Sequence, residues 1–180
     1  MKRLGVLVAV CLILTLPALL VISVGCSVQQ SQPPLQGEGF AIYLTKSDIP
    51  PSQMPAMSHF ELADEPVIGM ADIIFYDRQS HEIKLTSEAF IRIASLEVPV
   101  QGKSFVVCID KQTVYWGAFW TPISSLSFDG VTIWQPLTTG ESTVIKLELG
   151  YPSESFYGGT DPRNDARLMQ VLEAADKLNR

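Results

Sequence analysis

Apolar and polar residues alternate with a period of two in several parts of the chain, which predicts β-strands with one buried and one wet face. In residues 81–85, Ile83 and Leu85 alternate with charged neighbours, and residues 143–149 repeat this pattern. A continuous apolar run around Cys108 predicts a strand that is buried on both faces. The strands predicted in this way are 40–45, 66–68, 73–76, 81–85, 104–110, 113–120, 130–134 and 143–149.

Two segments show the 3.6-residue period of amphipathic helices. Thr86 is placed to cap a helix over about 87–96, because its hydroxyl can accept a backbone N–H of the first turn. Asp161 followed by Pro162 predicts the start of a C-terminal helix over about 162–178. Together these patterns predict an α+β domain, in which one central and one C-terminal helix cover one face of a mostly antiparallel sheet.

The N-terminal segment differs, since two basic residues, Lys2 and Arg3, precede 22 residues without charge. Such a segment directs export. Residues 23–26, Ser-Val-Gly-Cys, resemble the lipobox of bacterial lipoproteins, and the resemblance implies that Cys26 is lipidated and becomes the mature N-terminus. The apolar run is also long enough to remain as an uncleaved signal anchor, and simple secretion is a third alternative. All three place the following residues outside the cytoplasm.

Composition divides the rest of the chain into a tether and a globular domain, and the net charge of this part is acidic. Residues 26–39 are polar, contain Pro33 and Pro34 and show no apolar period, which predicts a flexible tether between a signal peptide or anchor (1–25) and a single globular domain (40–180). The formal charge is −6, and the 13 basic residues less Lys2 and Arg3 leave 11 against 19 acidic residues, or −8, after residue 25. Such a surface disfavours binding to nucleic acid and polybasic docking on anionic lipid.

The densest group of aromatic residues lies on the predicted strand that ends at Trp120. Alternation places Tyr115 and Phe119 on one face of this strand, with Gly117 leaving a notch between them. Trp116 and Trp120 then lie on the other face. An exposed pair would form a platform for a protein partner or an apolar ligand. Cover on both faces would instead make the strand part of the core.

No motif indicates catalysis, a metal or a cofactor, and none of these is expected. His59 and His81 are 22 positions apart without metal-ligand spacing, and His81 is interpreted as a solvated strand or turn residue. Ser124 and Ser125 lack the glycine-flanked turn that exposes a nucleophile. Cys108 has no activating neighbour in the sequence and is expected to be an inert core thiol.

Residues 72–120 carry a further resemblance. The chain contains, in this order, Asp72-Ile73, Leu85-Thr86-Ser87-Glu88-Ala89, Gly102-Lys103 and a strand that ends in Asp110. This order is similar to part of the first extracytoplasmic domain of SecD-family protein-export subunits. The resemblance supports the predicted fold and implies no activity.

These observations favour a non-enzymatic, membrane-tethered binding or interaction module in the extracytoplasmic space, held by its N-terminus. Two alternatives remain open. One is an envelope enzyme with a site around Glu61, Asp64 and His81, which requires the three side chains to converge in one pocket. The other is a structural component of an envelope complex.

Overall fold

Nine strands form one sheet within residues 37–136 and 142–179, which the computed structural model describes. The strands are β1 (Phe40–Leu44), β2 (Ile68–Gly69), β3 (Ile73–Asp77), β4 (Glu82–Leu85), β5 (Lys103–Ile109), β6 (Gln112–Trp120), β7 (Phe128–Trp134), β8 (Val144–Tyr151) and β9 (Leu178–Asn179). Their order across the sheet is β2-β1-β5-β6-β7-β8-β4-β3-β9. Two helices, α1 (Ser87–Ala94) and α2 (Ala166–Ala174), accompany this sheet. The predicted α+β class with a mostly antiparallel sheet is confirmed.

Two neighbouring pairs are parallel, β6 with β7 and β3 with β9. Parallel strands usually need a crossover of a dozen or more residues, whereas only residues 121–127 join β6 to β7. Because β7 starts at the end of the sheet opposite to the end of β6, this connection must run back along the strands for about 20 Å. The connection begins with a turn, in which the Ser124 N–H donates to the Thr121 carbonyl oxygen at 3.1 Å, and no helix forms in it. We call residues 121–127 the strap.

Helix α1 begins where the sequence predicts. Thr86 Oγ1 accepts a hydrogen bond from the backbone N–H of Ala89 at 3.3 Å, which satisfies one of the free donors of the first turn. At the other end, the Gln135 side chain donates to the carbonyl oxygens of Leu96 at 2.6 Å and Ala94 at 3.4 Å. The end of β7 is thereby joined to the end of α1.

Helix α2 is shorter than the predicted 162–178 at both ends. It begins after Asp165, whose carboxylate accepts the backbone N–H of Arg167, while the carboxylate of Asp161 is occupied by Arg163. The helix ends because Asp176 takes a positive φ of 56°, and the Lys177 N–H then bonds back to the Leu172 carbonyl at 2.8 Å. This turn sends the chain into β9.

The two faces of the sheet are covered differently. The face that we call the helix face packs in one apolar cluster with both helices. The other, the loop face, is covered beside β1 and β5 by Ile49, Met54 and Phe60 of the proline-rich loop. Further along, the strap is hydrogen-bonded to Tyr151, which packs with Trp120 on this face. Beside β8 and β4 the same face carries the charged residues Lys146 and Glu148.

Candidate functional site

The four aromatic residues of β6 divide between the two faces as alternation predicts. Tyr115 and Phe119 lie on the helix face, and Phe119 packs against Phe105 with ring centres 5.2 Å apart. The expected notch at Gly117 does not exist as open space. A Cβ there would lie 2.5 Å from the Phe105 ring and 2.4 Å from the carbonyl oxygen of Val131, so neighbouring atoms already fill the position.

The second pair faces the loop side, where Trp120 is also buried. A Cβ added to Gly102 would lie 2.4 Å from the Trp120 ring and 3.2 Å from Pro51, so the backbone of Gly102 packs closely against the ring and leaves no room for a side chain. Trp116 is half-buried between the loop cluster and the Trp120 cluster. Both faces of β6 are therefore covered, and the binding role of Tyr115, Trp116, Phe119 and Trp120 stays a prediction that requires the covering segments to move.

The loop face nevertheless carries a continuous row of aromatic rings. Trp120 stacks on Phe128 with centres 5.2 Å apart and an interplanar angle of 14°, and it also contacts Tyr151 at 5.5 Å. Trp116 extends the row on one side through Phe128 at 5.8 Å. Trp134 extends it on the other side through Tyr151 at 5.3 Å. We call these five residues the aromatic row.

The strap lies against this row and is held there by side-chain hydrogen bonds. The Tyr151 hydroxyl group lies within hydrogen-bond distance of two carbonyl oxygens, that of Pro122 at 3.3 Å and that of Ser124 at 3.1 Å, and can donate to either. The Ser124 hydroxyl in turn donates to the carbonyl oxygen of Val100 at 2.5 Å. The strap, the loop before β5 and the aromatic row are thus joined in one structure.

Large apolar side chains are exposed on these joined segments. They are Ile123 (81% exposed), Val100 (50%), Leu126 (49%) and Trp134 (39%). Solvent exposure of several large apolar residues on adjacent segments is typical of an interaction surface, whereas single exposed apolar residues are common everywhere. We call these four residues the distal patch.

The distal patch and the start of the domain lie at opposite ends of the sheet. The backbone N–H of Gly39 donates to Asp110 Oδ1 at 2.7 Å, so the chain enters beside the turn between β5 and β6. Val100 precedes Lys103 at the other end of β5, and β7 reaches that same end at Trp134 because it runs parallel to β6. Seven residues of β5 separate the two ends by about 20 Å.

A second group of interest surrounds His81, and here the sequence-based interpretation was wrong. His81 lies in the turn between β3 and β4 with φ of 58°, but it is only 7% exposed. Its Nδ1 lies 3.0 Å from the Tyr76 hydroxyl, which donates to the Arg163 carbonyl oxygen at 3.2 Å. Tyr76 is five residues from His81, but Arg163 and Leu147, which complete this group, come from segments far away in the sequence, which a local pattern does not reveal.

Electrostatics in this group follow from burial and from one arginine. Burial first, and the positive charge of Arg163 second, lower the pKa of His81 below its ordinary value. Asp161 forms a bidentate pair with the Arg163 guanidinium, with both N–O distances 2.9 Å, and this pair lowers the pKa of the Asp161 carboxyl group. Burial raises the pKa values of Tyr76 and Tyr115. At neutral pH the group therefore holds one ion pair, a neutral imidazole and neutral phenols.

The residues proposed for an enzyme site do not converge. Glu61 and Asp64 are exposed beside the end of β1, where Asp64 pairs with Lys46 at 3.3 Å. His81 is buried beside β4, five strand positions away in the sheet. Cys108 is fully buried, as predicted, and burial raises its pKa to about 11, which leaves the thiol protonated.

Metal sites and membrane-spanning helices can be assessed for residues 37–136 and 142–179. Within them, no group of three or more His, Cys, Asp or Glu side chains is arranged to hold a metal ion. The helices between residues 37 and 179 that the structure describes are too short or too polar to cross a membrane. Cys26 and the apolar segment before it lie outside the described residues.

Sequence reasoning missed most of the distal patch and the surroundings of His81. Ile123 and Leu126 lie in an irregular segment without a period, so no pattern marked them as surface residues. One usable signal existed for the strap, namely the short spacing between two predicted strands, but a connection of fewer than a dozen residues favours an antiparallel pair. Arg163 had no signal, because its partners Tyr76 and Leu147 are distant in sequence.

Comparisons with protein-family models, with curated proteins and with solved structures found no match to this chain. The partial resemblance to SecD-family subunits therefore stays a prediction. The function has to be argued from the residues themselves.

Proposed function

We propose that this chain is a membrane-tethered extracytoplasmic binding module, and that its distal patch binds a protein partner. The observation that carries the proposal is the exposure of Val100, Ile123, Leu126 and Trp134 on joined segments at the end of the sheet away from the tether. A tether that enters beside Asp110 leaves this end of the domain free to meet a partner.

The chemistry of the patch favours a protein over the anchoring membrane. The patch lies at the end of the sheet opposite to Gly39, about 20 Å away along β5. The patch contains aliphatic residues and one tryptophan, which is the composition of a protein interface core. The acidic charge of the chain after residue 25 would steer a partner whose apolar surface is flanked by lysine and arginine.

The membrane tether of the proposal rests on the N-terminal sequence. Lys2, Arg3 and the uncharged run direct export, and Cys26 stands where a lipoprotein carries its lipid. The mass of the mature N-terminus tests this part. An acylated Cys26 or an intact Met1 supports a tether, whereas an unmodified end created by cleavage would contradict it.

The binding test compares one patch variant with a matched control. Ile123→Glu places a charge in the patch, and Ile91→Glu places the same charge on the outer face of α1, where Ile91 is 60% exposed. Both sites are open enough that we expect changes in unfolding free energy within about 0.5 kcal/mol. The full-length chain is crosslinked in its own envelope, and the captured protein is then purified and titrated with each variant.

The proposal expects Ile123→Glu to weaken binding of the purified partner at least about tenfold, with Ile91→Glu unchanged. Leu126→Glu should behave as Ile123→Glu does. Equal binding by all variants, or equal loss in the Ile91 control, would overturn the patch as the site. Binding to phosphatidylcholine vesicles that Ile123→Glu abolishes would assign the patch to lipid, and a dimer that it dissociates would assign it to a second copy.

A further inference from the structure

Four hydrogen bonds around His81 form a closed circuit. His81 Nδ1 lies 3.0 Å from the Tyr76 hydroxyl, and that hydroxyl donates to the Arg163 carbonyl oxygen. Arg163 Nη1 donates to the Leu147 carbonyl oxygen at 2.8 Å, and the Leu147 N–H donates to the His81 carbonyl oxygen at 3.0 Å. The Tyr76 hydroxyl has one proton, which it donates to the Arg163 carbonyl oxygen. Nδ1 of His81 must therefore carry the imidazole proton and donate it to the Tyr76 oxygen. The circuit joins the β3–β4 turn, β8 and the segment before α2.

Tyr76 is held by both ends of the C-terminal segment. Arg163 reaches its hydroxyl group from the chain before α2. The chain after α2 returns to its backbone, where the Tyr76 N–H donates to the Lys177 carbonyl oxygen at 2.7 Å and the residue pairs with Leu178 of β9. The described C-terminal segment from Arg163 to Asn179 therefore docks on the sheet around one tyrosine, with the apolar face of α2 packed on the core.

The surroundings of His81 disfavour a positive charge on its imidazole ring. The imidazole is almost completely buried, and burial disfavours the charged form. Arg163 from the C-terminal segment and Lys146 from β8 oppose a positive charge on His81. Asp161 favours the charge less than Arg163 opposes it, and Asp77 favours it less than Lys146 opposes it. Asp161 is already paired with Arg163, and Asp77 with the turn amides and Asn179. The phenols of Tyr76 and Tyr115 are neutral and supply no compensating charge.

We propose that the hydrogen-bond circuit around His81 attaches the C-terminal segment, residues 163–179, to the sheet in an acid-sensitive way. Protonation of the imidazole releases this segment from the sheet. The charged imidazole is favoured in an open form in which water solvates it and Arg163 moves away. Helix α2 and β9 separate from the sheet together, because Tyr76 contacts the chain before the helix and the chain after it.

The direction of the pH dependence follows from linkage. His81 has a lowered pKa in the closed form, so the open form binds more protons between that value and about 6.5. The closed form is thus fully stabilised above about pH 6.5 and loses that stabilisation as the pH falls toward the lowered value. Each pH unit within this window shifts the equilibrium up to about tenfold toward the open form.

Hydrogen exchange of the full-length chain in detergent tests the proposal. Peptides covering α2 are followed at about pH 7.5 and about pH 5.5, with intrinsic exchange rates corrected for pH. We expect protection of α2 to fall by up to about tenfold at the lower pH, while α1 keeps its protection. Unchanged protection of α2 in the wild-type chain would overturn the proposal.

Two substitutions distinguish the effect of His81 protonation from the effects of other groups that titrate in acid. His81→Asn keeps an N–H donor near Tyr76 and suits the positive φ at this position, so α2 should stay protected at both pH values. His59→Asn is the matched control, because His59 is exposed and should leave the wild-type response intact. An equal loss of protection in His81→Asn and wild type would assign the effect to carboxyl groups and reject the proposal.

A spectroscopic measurement serves if His81→Asn does not fold. The chain has two histidines, so their ring signals can be followed by NMR and assigned with His59→Asn. Protection of α2 should decline between about pH 6.5 and the pH at which the His81 signal titrates, and should level off below that pH. A decline that begins only below the titration of His81 would contradict the proposal.

Discussion

The helix face and the loop face of the sheet differ in what holds their covering segments. On the helix face the cover is secondary structure, and buried side chains such as Phe90, Ile93 and Leu172 join the helices to the sheet in one apolar cluster. On the loop face the cover is irregular, and the strap depends on a few hydrogen bonds from Tyr151 and Ser124. Burial of apolar area stabilises a segment more than isolated hydrogen bonds do. Above about pH 6.5, where His81 is neutral, the strap on the loop face is therefore held less strongly than the helices on the helix face, and the loop face also carries the distal patch.

The largest expected effect compares two neighbouring aromatic residues of β6. Phe119→Ala removes a fully buried ring from the helix face, and we expect it to cost about 3–5 kcal/mol of unfolding free energy. Trp116→Ala removes a half-buried ring from the loop face and should cost less than about half of that. Equilibrium denaturation measures both. Equal losses would show that the two faces are packed to the same degree.

A smaller effect concerns two glycines with similar positive φ values, Gly102 at 82° and Gly39 at 71°. Alanine at Gly102 would place a Cβ 2.4 Å from the buried Trp120 ring, whereas at Gly39 it would meet the flexible end of Met70 at 3.1 Å. We expect Gly102→Ala to destabilise the chain by about 1–3 kcal/mol more than Gly39→Ala does. The difference in denaturation midpoints measures it. Similar losses at the two sites would mean that the covering loop moves aside to accommodate the new methyl group.

The smallest expected effect isolates the strap. Tyr151→Phe removes the hydroxyl that donates to Pro122 and Ser124, which we expect to cost about 1 kcal/mol. Amide exchange should increase in the strap and stay unchanged in α1 and α2. Tyr157→Phe is the control, since its hydroxyl donates to the carbonyl oxygen of Thr160, only three residues away, at 2.7 Å. A uniform increase across the domain would show that strap and helices open as one unit.

Periodicity and capping residues in the sequence were sufficient to predict that the strands and helices of the helix face exist. The strand alternation of Ile83 and Leu85 and the capping residue Thr86 each gave the observed element, because these signals act within a few residues. The C-terminal helix was predicted too long because Asp161 and Asp165 are both suitable caps. Arg163 decides between them by binding Asp161, and a sequence does not show which carboxylate a flexible arginine will pair with.

The candidate site was less predictable than the fold. Alternation correctly separated Tyr115 and Phe119 from Trp116 and Trp120, but it could not show that both faces are covered. The segments that cover the loop face show no hydrophobic periodicity, and their position depends on the order of the strands in the sheet. For the same reason the sequence did not indicate that Ile123 lies beside Val100 through Ser124.

By itself, the sequence determined the signals that act locally: the apolar N-terminal run with Cys26 after it, the acidic charge, most of the strands and the cap of α1. The tertiary structure alone decided that β7 returns parallel to β6, so that the strap crosses the loop face, and that His81 is buried under Tyr76 and Arg163. The physical reason is the range of the interactions. Periodicity and capping involve residues within one or two turns, whereas burial and the closing of a hydrogen-bond circuit depend on residues brought together from distant segments.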